Sequence, residues 1–265
     1  MLTIKRYVRT QTLEEAYTLC QKRTSVVLGG MAWLKMQNRA VVTAIDLCDL
    51  GLDAMTEDAE NFYIGAQATL RDLEVHEGLN ALTHGAVRES LKGIVGVQFR
   101  NTATVGGSVF ARFGFSDVTT LFTALEARVE LYGAGVMTIE EFAALPRPTR
   151  DILVRVIVPK GERKMAYLSQ RNTKTDIPVL TCAVVQRRGE TFAVVGARPR
   201  AAAMVRDTAG LLKNGITPES AAAFGEQAAR ELSLGSNSRA GADYRRKVAA
   251  VLVRRAALAL KEQEG

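Results

Sequence analysis

Two diglycine turns restrict this chain more than any other feature of its sequence. The first closes a short apolar run, Val26-Val27-Leu28-Gly29-Gly30-Met31, and a helix-like stretch over 31–37 follows it. The second is Asn101-Thr102-Ala103-Thr104-Val105-Gly106-Gly107-Ser108. Glycine permits a sharp turn and lets another group come close to the backbone. Consecutive N–H groups at such a turn form a positive concavity suited to a pyrophosphate. Neither turn is a GxGxxG, so a Rossmann site is not supported. One diglycine turn is ordinary punctuation. A second, flanked by the Thr104 and Ser108 hydroxyls, makes both turns candidates for phosphate. Asp117 follows at a helix start, where a carboxylate either compensates the helix dipole or accepts hydrogen bonds from sugar-type hydroxyls.

Around these turns the first 160 residues alternate short elements. Leu13, Ala16, Tyr17 and Cys20 fall at helical spacing behind Thr12, with Glu15 placed for a capping box, which predicts a helix over 12–21. Apolar and β-branched runs predict strands over 25–28, 40–47 and 62–66, and a helix starts over 69–73. Leu82, Ala86 and Leu91 mark an amphipathic helix over 81–91, and Ser116 caps another over 115–125. Strands over 128–132 and 151–158 flank a helix over 138–144. All six prolines lie beyond residue 145. Pro146 and Pro148 stiffen the loop over 145–150, and an architectural break near 160 is predicted. Strands then run over 165–170, 179–187 and 191–196, the last two joined by a hairpin at Arg188-Gly189-Glu190. Helices over 206–213, 218–232 and 241–263 close the chain. Strands first and helices last give an α+β arrangement.

Composition narrows the chemistry. With 265 residues, 47% hydrophobic and 24% charged, the chain can bury a core in the ordinary globular range. No apolar run approaches the roughly 18 residues that span a bilayer. The start, charged at Lys5, Arg6 and Arg9, lacks a signal-type apolar stretch, so a cytoplasmic location is expected. Cys20, Cys48 and Cys182 form no CxxC pair, and His76 and His84 join no serine or cysteine motif. No metal site and no catalytic constellation is expected, so any redox group is borrowed. The net charge is +7, and its densest basic stretch is 239–261. Helical spacing of Val248, Val251, Leu252, Ala256, Leu258 and Ala259 makes this an amphipathic helix with a solvated basic face. Docking of an acidic partner protein is the second reading; nucleic acid is not favoured.

At this point the sequence resembles a known family, the FAD-binding (medium) subunits of the molybdenum hydroxylases, the group of xanthine dehydrogenase, carbon monoxide dehydrogenase and nicotinate dehydrogenase. The resemblance runs through most of the chain. It rests on Val27-Leu28-Gly29-Gly30, on Ile64-Gly65-Ala66-Gln67-Ala68-Thr69-Leu70, and above all on Gln98-Phe99-Arg100-Asn101 leading into Thr104-Val105-Gly106-Gly107-Ser108, with Ser116-Asp117 downstream. Asp151-Ile152-Leu153, the stretch 171–181, Gly196-Ala197-Arg198-Pro199 and Ala242-Asp243-Tyr244-Arg245 complete it.

The resemblance implies an α+β chain: a two-subdomain FAD-binding fold of the vanillyl-alcohol-oxidase (PCMH) type, then a sheet-plus-helices C-terminal domain. The FAD-binding domain would cover 1–160, with subdomains about 1–55 and 56–160, and the C-terminal domain 161–265. Val26, Val27, Leu28, Gly29, Gly30, Met31, Ala32 and Trp33, with Thr104, Val105, Gly106, Gly107 and Ser108, would wrap the FAD pyrophosphate. Asp117 would bond the ribityl or ribose. Ile94 and Leu153 stand where the family packs the isoalloxazine, or are simply core. There are departures. Leu168 replaces a lysine that some relatives place at the flavin, Arg112-Phe113-Gly114-Phe115 replaces a smaller loop, and Met31 replaces a small hydroxyl residue.

Under this resemblance the chain is an oxidoreductase flavoprotein within a heteromeric complex. Electrons from a molybdenum-cofactor subunit and 2Fe–2S clusters of an iron–sulfur subunit would pass through FAD to NAD+ or another acceptor. Two rivals are a stand-alone flavin oxidoreductase of the same fold and a flavin-free structural subunit. No nucleic acid and no membrane span is expected.

Overall fold

The computed structural model describes residues 1–264, the side chain of Glu264 excepted. In chain order the first elements are β1 (Thr3–Arg9), α1 (Leu13–Cys20), β2 (Ser25–Val27), β3 (Ala40–Asp46), β4 (Met55–Glu57) and β5 (Asn61–Gly65). Six short helices follow: α2 (Leu70–Val75), α3 (Glu77–Leu82), α4 (Ala86–Lys92), α5 (Val97–Arg100), α6 (Val105–Phe110) and α7 (Asp117–Ala124). Next come β6 (Arg128–Leu131), β7 (Gly135–Thr138), α8 (Ile139–Ala144) and β8 (Leu153–Pro159). The remainder is β9 (Lys164–Gln170), β10 (Leu180–Arg187), β11 (Glu190–Gly196), β12 (Ala203–Arg206), α9 (Pro218–Glu231) and α10 (Ala242–Lys261). They form two compact units, each assembled from three stretches of chain. Among the described residues no helix is long and apolar enough to cross a membrane.

The first unit comprises Met1–Leu73, Val97–Ala111 and Glu126–Pro159. It holds a three-stranded parallel sheet, β1-β3-β2, and a five-stranded sheet, β4-β5-β8-β6-β7, whose pairs are antiparallel. Parallel pairing needs a crossover, and α1 supplies it between β1 and β2. Thr12 caps α1 through its Oγ1, which accepts from Glu15 N–H at 3.1 Å. The returning Glu15 carboxylate accepts from Gln11 N–H at 3.0 Å, one residue before the cap. Ala16 and Cys20 then bury against Ile45, Leu47, Leu52 and Ile152.

The second unit comprises Glu74–Gly96, Arg112–Leu125 and Lys160–Gly265. Its antiparallel sheet runs β12-β11-β10-β9. Strand alternation sends Leu180, Cys182 and Val184 into a core with Phe224 of α9 and Leu252, Val253 and Ala256 of α10. Thr181, pointing the other way, meets Thr120 of α7, with 2.9 Å between their hydroxyl oxygens. The β10–β11 hairpin pairs Arg187 with Glu190. Its two loop residues, Arg188 and Gly189, both have positive φ, 52° and 78°, as a type I′ turn requires.

Several elements differ from the sequence expectations. The helix predicted over 206–213 is absent. Residues 203–206 extend the sheet as β12, and the Asp207 carboxylate closes the following turn by accepting from Leu211 and Leu212 N–H, each at 2.8 Å. The helix predicted over 81–91 is two helices, because His84 and Gly85 take positive φ, 49° and 81°. The stretch 31–37 shortens to a 3-10 turn at Leu34–Met36. Strands β1, β4 and β7 are additions; β1 is an exposed edge whose Lys5, Arg6 and Arg9 hide any alternation.

Candidate cofactor-binding site

The first diglycine turn begins where β2 ends. Leu28 N–H still donates to Ile45 O at 2.8 Å, so the strand delivers Gly29 and Gly30 at the edge of the parallel sheet. A β-carbon on Gly30 would lie 1.6 Å from Thr102 O, so only glycine fits there. Met31 follows with φ of 54°, a left-handed backbone that costs a non-glycine residue about 1–2 kcal/mol. Its side chain packs with Leu2, Val26 and Leu34 around Leu28, Val41 and Ala44. Among the described residues nothing accepts from the N–H groups of Gly29, Gly30, Met31 and Ala32. Trp33 is exposed.

The second turn opens α6. Thr104 is the N-cap, its Oγ1 accepting from Gly107 N–H at 3.1 Å, and Ser108 Oγ donates to Thr104 O at 2.9 Å. The two hydroxyls are therefore not equivalent. Thr104 keeps its O–H to donate, whereas Ser108 has spent its proton on a carbonyl. Val105, Gly106 and Ala103 are buried, and Gly107 is exposed.

The structure brings the two turns together. A β-carbon on Gly29 would lie 2.7 Å from Thr104 Oγ1 and 3.6 Å from Gly107 Cα. The segment 66–68 joins them. Ala66 O accepts from Gly106 N–H at 2.7 Å, Ala68 O from Val105 N–H at 2.8 Å, and Gln67 Nε2 donates to Leu28 O at 3.1 Å. Gln67 was not among the candidates from sequence. Its signal was there: it is the one polar side chain in the run Ile64-Gly65-Ala66-Gln67-Ala68.

The other candidates lie on other segments of the chain. Leu153, in the first unit, is buried at the start of β8 opposite Leu131. Ile94, Asp117 and Leu168 belong to the second unit. Ile94 is half-buried just beyond α4. Leu168 lies on β9 and packs against the core under α9 and α10. Asp117 starts α7 and is 4% exposed. Its Oδ1 accepts from Tyr167 OH at 2.9 Å and from the Arg171 guanidinium at 2.6 Å. Burial pushes the Asp117 carboxyl above its ordinary range, with Arg171 pulling the other way. Burial and the neighbouring carboxylate lift the Tyr167 hydroxyl well above its usual value. The Arg112–Phe115 loop stacks Phe113 on Phe115, centroids 5.0 Å apart.

The first unit thus offers four open backbone donors, a hydroxyl with a proton to give, and at Gly107 an exposed backbone with no side chain over it. That donor set fits a diphosphate carrying only acceptors. Residues 2–161 match the family described as the FAD binding domain in molybdopterin dehydrogenase. The chain belongs to that family of oxidoreductase flavoproteins and binds FAD.

Particular relatives follow the same line. The uncharacterized protein YgfM of Escherichia coli strain K12 is 26% identical over 185 residues, 68% of this chain and 69% of that protein. Xanthine dehydrogenase of Blastobotrys adeninivorans is 28% identical over 127 residues, which cover 43% of this chain and 9% of that enzyme. The fold matches a chain of quinoline 2-oxidoreductase from Pseudomonas putida 86 with a TM-score of 0.85, at 17% identity over 98% of each chain. It also matches a chain of carbon monoxide dehydrogenase from Hydrogenophaga pseudoflava, with a TM-score of 0.84 at 23% identity over 97% of this chain and 98% of that one.

Proposed function

We propose that this chain is the FAD-carrying electron-transfer subunit of a xanthine dehydrogenase-like molybdenum hydroxylase, working beside a molybdenum-cofactor subunit and an iron–sulfur subunit. The observation that supports this most is the meeting of the two diglycine turns, Gly29 against Thr104 and Gly107. In this reading the N–H groups of Gly29, Gly30, Met31 and Ala32 bind one side of the pyrophosphate. Thr104 Oγ1, still holding its proton, binds the other. Bound FAD would supply the electron-carrying chemistry between the partner's 2Fe–2S clusters and NAD+ or another acceptor. The chain's own share is to fix those donors before the cofactor arrives, so that little ordering remains on binding.

Gly107 provides the test. A β-carbon there meets only its own cap, Thr104 Oγ1, in a tight contact of 3.0 Å with a side chain and not with backbone; in this reading the rest of the side chain would occupy the phosphate's place. Gly107→Leu is expected to fold with the wild-type circular dichroism spectrum and to lose FAD, measured as flavin absorbance per protein after gel filtration. Undiminished flavin would sink the assignment. Purification from the native source should give a yellow complex containing molybdenum and iron–sulfur subunits; a yellow, active chain running alone would favour a stand-alone flavoenzyme.

A further inference from the structure

We propose that Gln67 is a positioning residue for the cofactor: through the Leu28 carbonyl it sets the direction of the Gly29 N–H. This rests on the pyrophosphate reading given above. The Leu28 C=O and the Gly29 N–H belong to one planar peptide unit and point in opposite directions. Whatever fixes the carbonyl therefore fixes the amide. Gln67 Nε2 fixes it, donating to Leu28 O at 3.1 Å. Without that bond the peptide would turn easily, because Gly29 has no β-carbon to restrict it.

Gln67 is itself firmly held. Its N–H donates to Leu52 O at 2.8 Å, and Ala66 N–H donates to Val154 O at 3.0 Å. The carbonyls of Ala66 and Ala68 meanwhile take the Gly106 and Val105 N–H groups. One three-residue segment thus carries the second turn on its backbone and the first on a side chain. The packing of Gly29 and Gly30 on the second turn sets the spacing between the two donor sets, and the Gln67 amide sets the direction of the Gly29 N–H. A hydrogen bond weakens steeply once its donor is misaimed, so presence of the Gly29 N–H is not sufficient; its direction matters.

The test uses the full chain and FAD. Gln67→Leu keeps the volume and removes the donor; Gln67→Glu keeps the length and turns an acceptor toward the Leu28 carbonyl. Loss of this bond is expected to weaken FAD binding about five- to tenfold in Gln67→Leu, and more in Gln67→Glu, by calorimetry. The 31P resonances of the bound pyrophosphate should move in both variants while the visible flavin spectrum keeps its shape. Wild-type affinity with unmoved 31P resonances in both variants overturns the proposal. Lowered thermal stability with affinity and resonances unchanged makes Gln67 merely structural and overturns it too. Full FAD retention by Gly107→Leu is a different failure: it removes the pyrophosphate reading, and this proposal with it.

Discussion

Added to Gly30, a β-carbon would sit 1.6 Å from the Thr102 carbonyl oxygen; added to Gly106, it would sit 2.6 Å from that of Ala66. Both glycines serve the protein's own packing, backbone against backbone, where nothing flexible can yield. Gly107 is different, since its surroundings are open and only a side-chain oxygen lies near. The glycines of one motif therefore have separate duties, and substitutions should separate them. Gly30→Ala is expected to destabilise the first unit by about 3 kcal/mol or more, as forced overlap with backbone does, read as a fall in the urea midpoint. With both proteins compared free of flavin, Gly107→Leu should lower that midpoint far less than Gly30→Ala does, while FAD binding is lost. A Gly30→Ala protein as stable as wild type would mean that the two turns do not touch.

At the scale of elements, α10 shows how a helix reaches beyond its own packing face. Arg245, one turn into it, is fully buried. Its guanidinium donates to the carbonyls of Val179, Gly235 and Ala240 at 3.1, 2.7 and 2.5 Å, and to Asn237 Oδ1 at 2.7 Å. No carboxylate takes part in those four bonds; the charge is spread over carbonyl dipoles that tie the 235–240 loop to the entry of β10. Arg245→Met removes the donors and leaves several acceptors buried. A loss of about 3 kcal/mol or more is expected, checked by thermal unfolding of the variant. A midpoint unchanged within 1–2 °C, roughly half to one kcal/mol for a chain of this size, would refute this.

The sequence made α10 legible as an amphipathic helix, and it made α1, α7, α8 and the β10–β11 hairpin legible as well. Each has a local cause written in neighbouring residues: a cap, a periodicity or a turn pair. The misses have causes that are not local. Strand β12 exists because β11 offers it a partner, Phe192 to Arg206 through Val195 to Ala203. Ala203 to Arg206 is too short to announce a strand by itself, and the helix expected over 206–213 gives way to a turn closed by the Asp207 carboxylate. The candidate site divides in the same way. Gly29, Gly30, Gly106 and Gly107 stand out as a motif, whereas Gln67 acquires its role from a bond across 39 residues of sequence.

For the whole molecule, the second unit draws on all three of its stretches. The helices α4 and α7, both from the first 160 residues, pack on β9 and on β10 and β11 respectively. A fragment ending at residue 160 would lack β9, β10 and β11, on which these two buried helices pack. Such a fragment is expected to be cut by trypsin within 74–96 and 112–125 under conditions in which the full chain resists. Equal resistance of the fragment would show that these helices do not depend on the later strands.

The same threading imposes a wait during synthesis. Helix α7 ends at Ala124, and β10, on which it packs, begins at Leu180. A ribosome adding about 5–20 residues per second takes several seconds to make that interval. Over that time α7, buried along nearly its whole length in the finished fold, is made without the strand it packs on. Contacts of such long sequence separation fold slowly, so the newborn chain offers an apolar segment to whatever protein meets it first, and a chaperone bound there would be released by the arrival of β10.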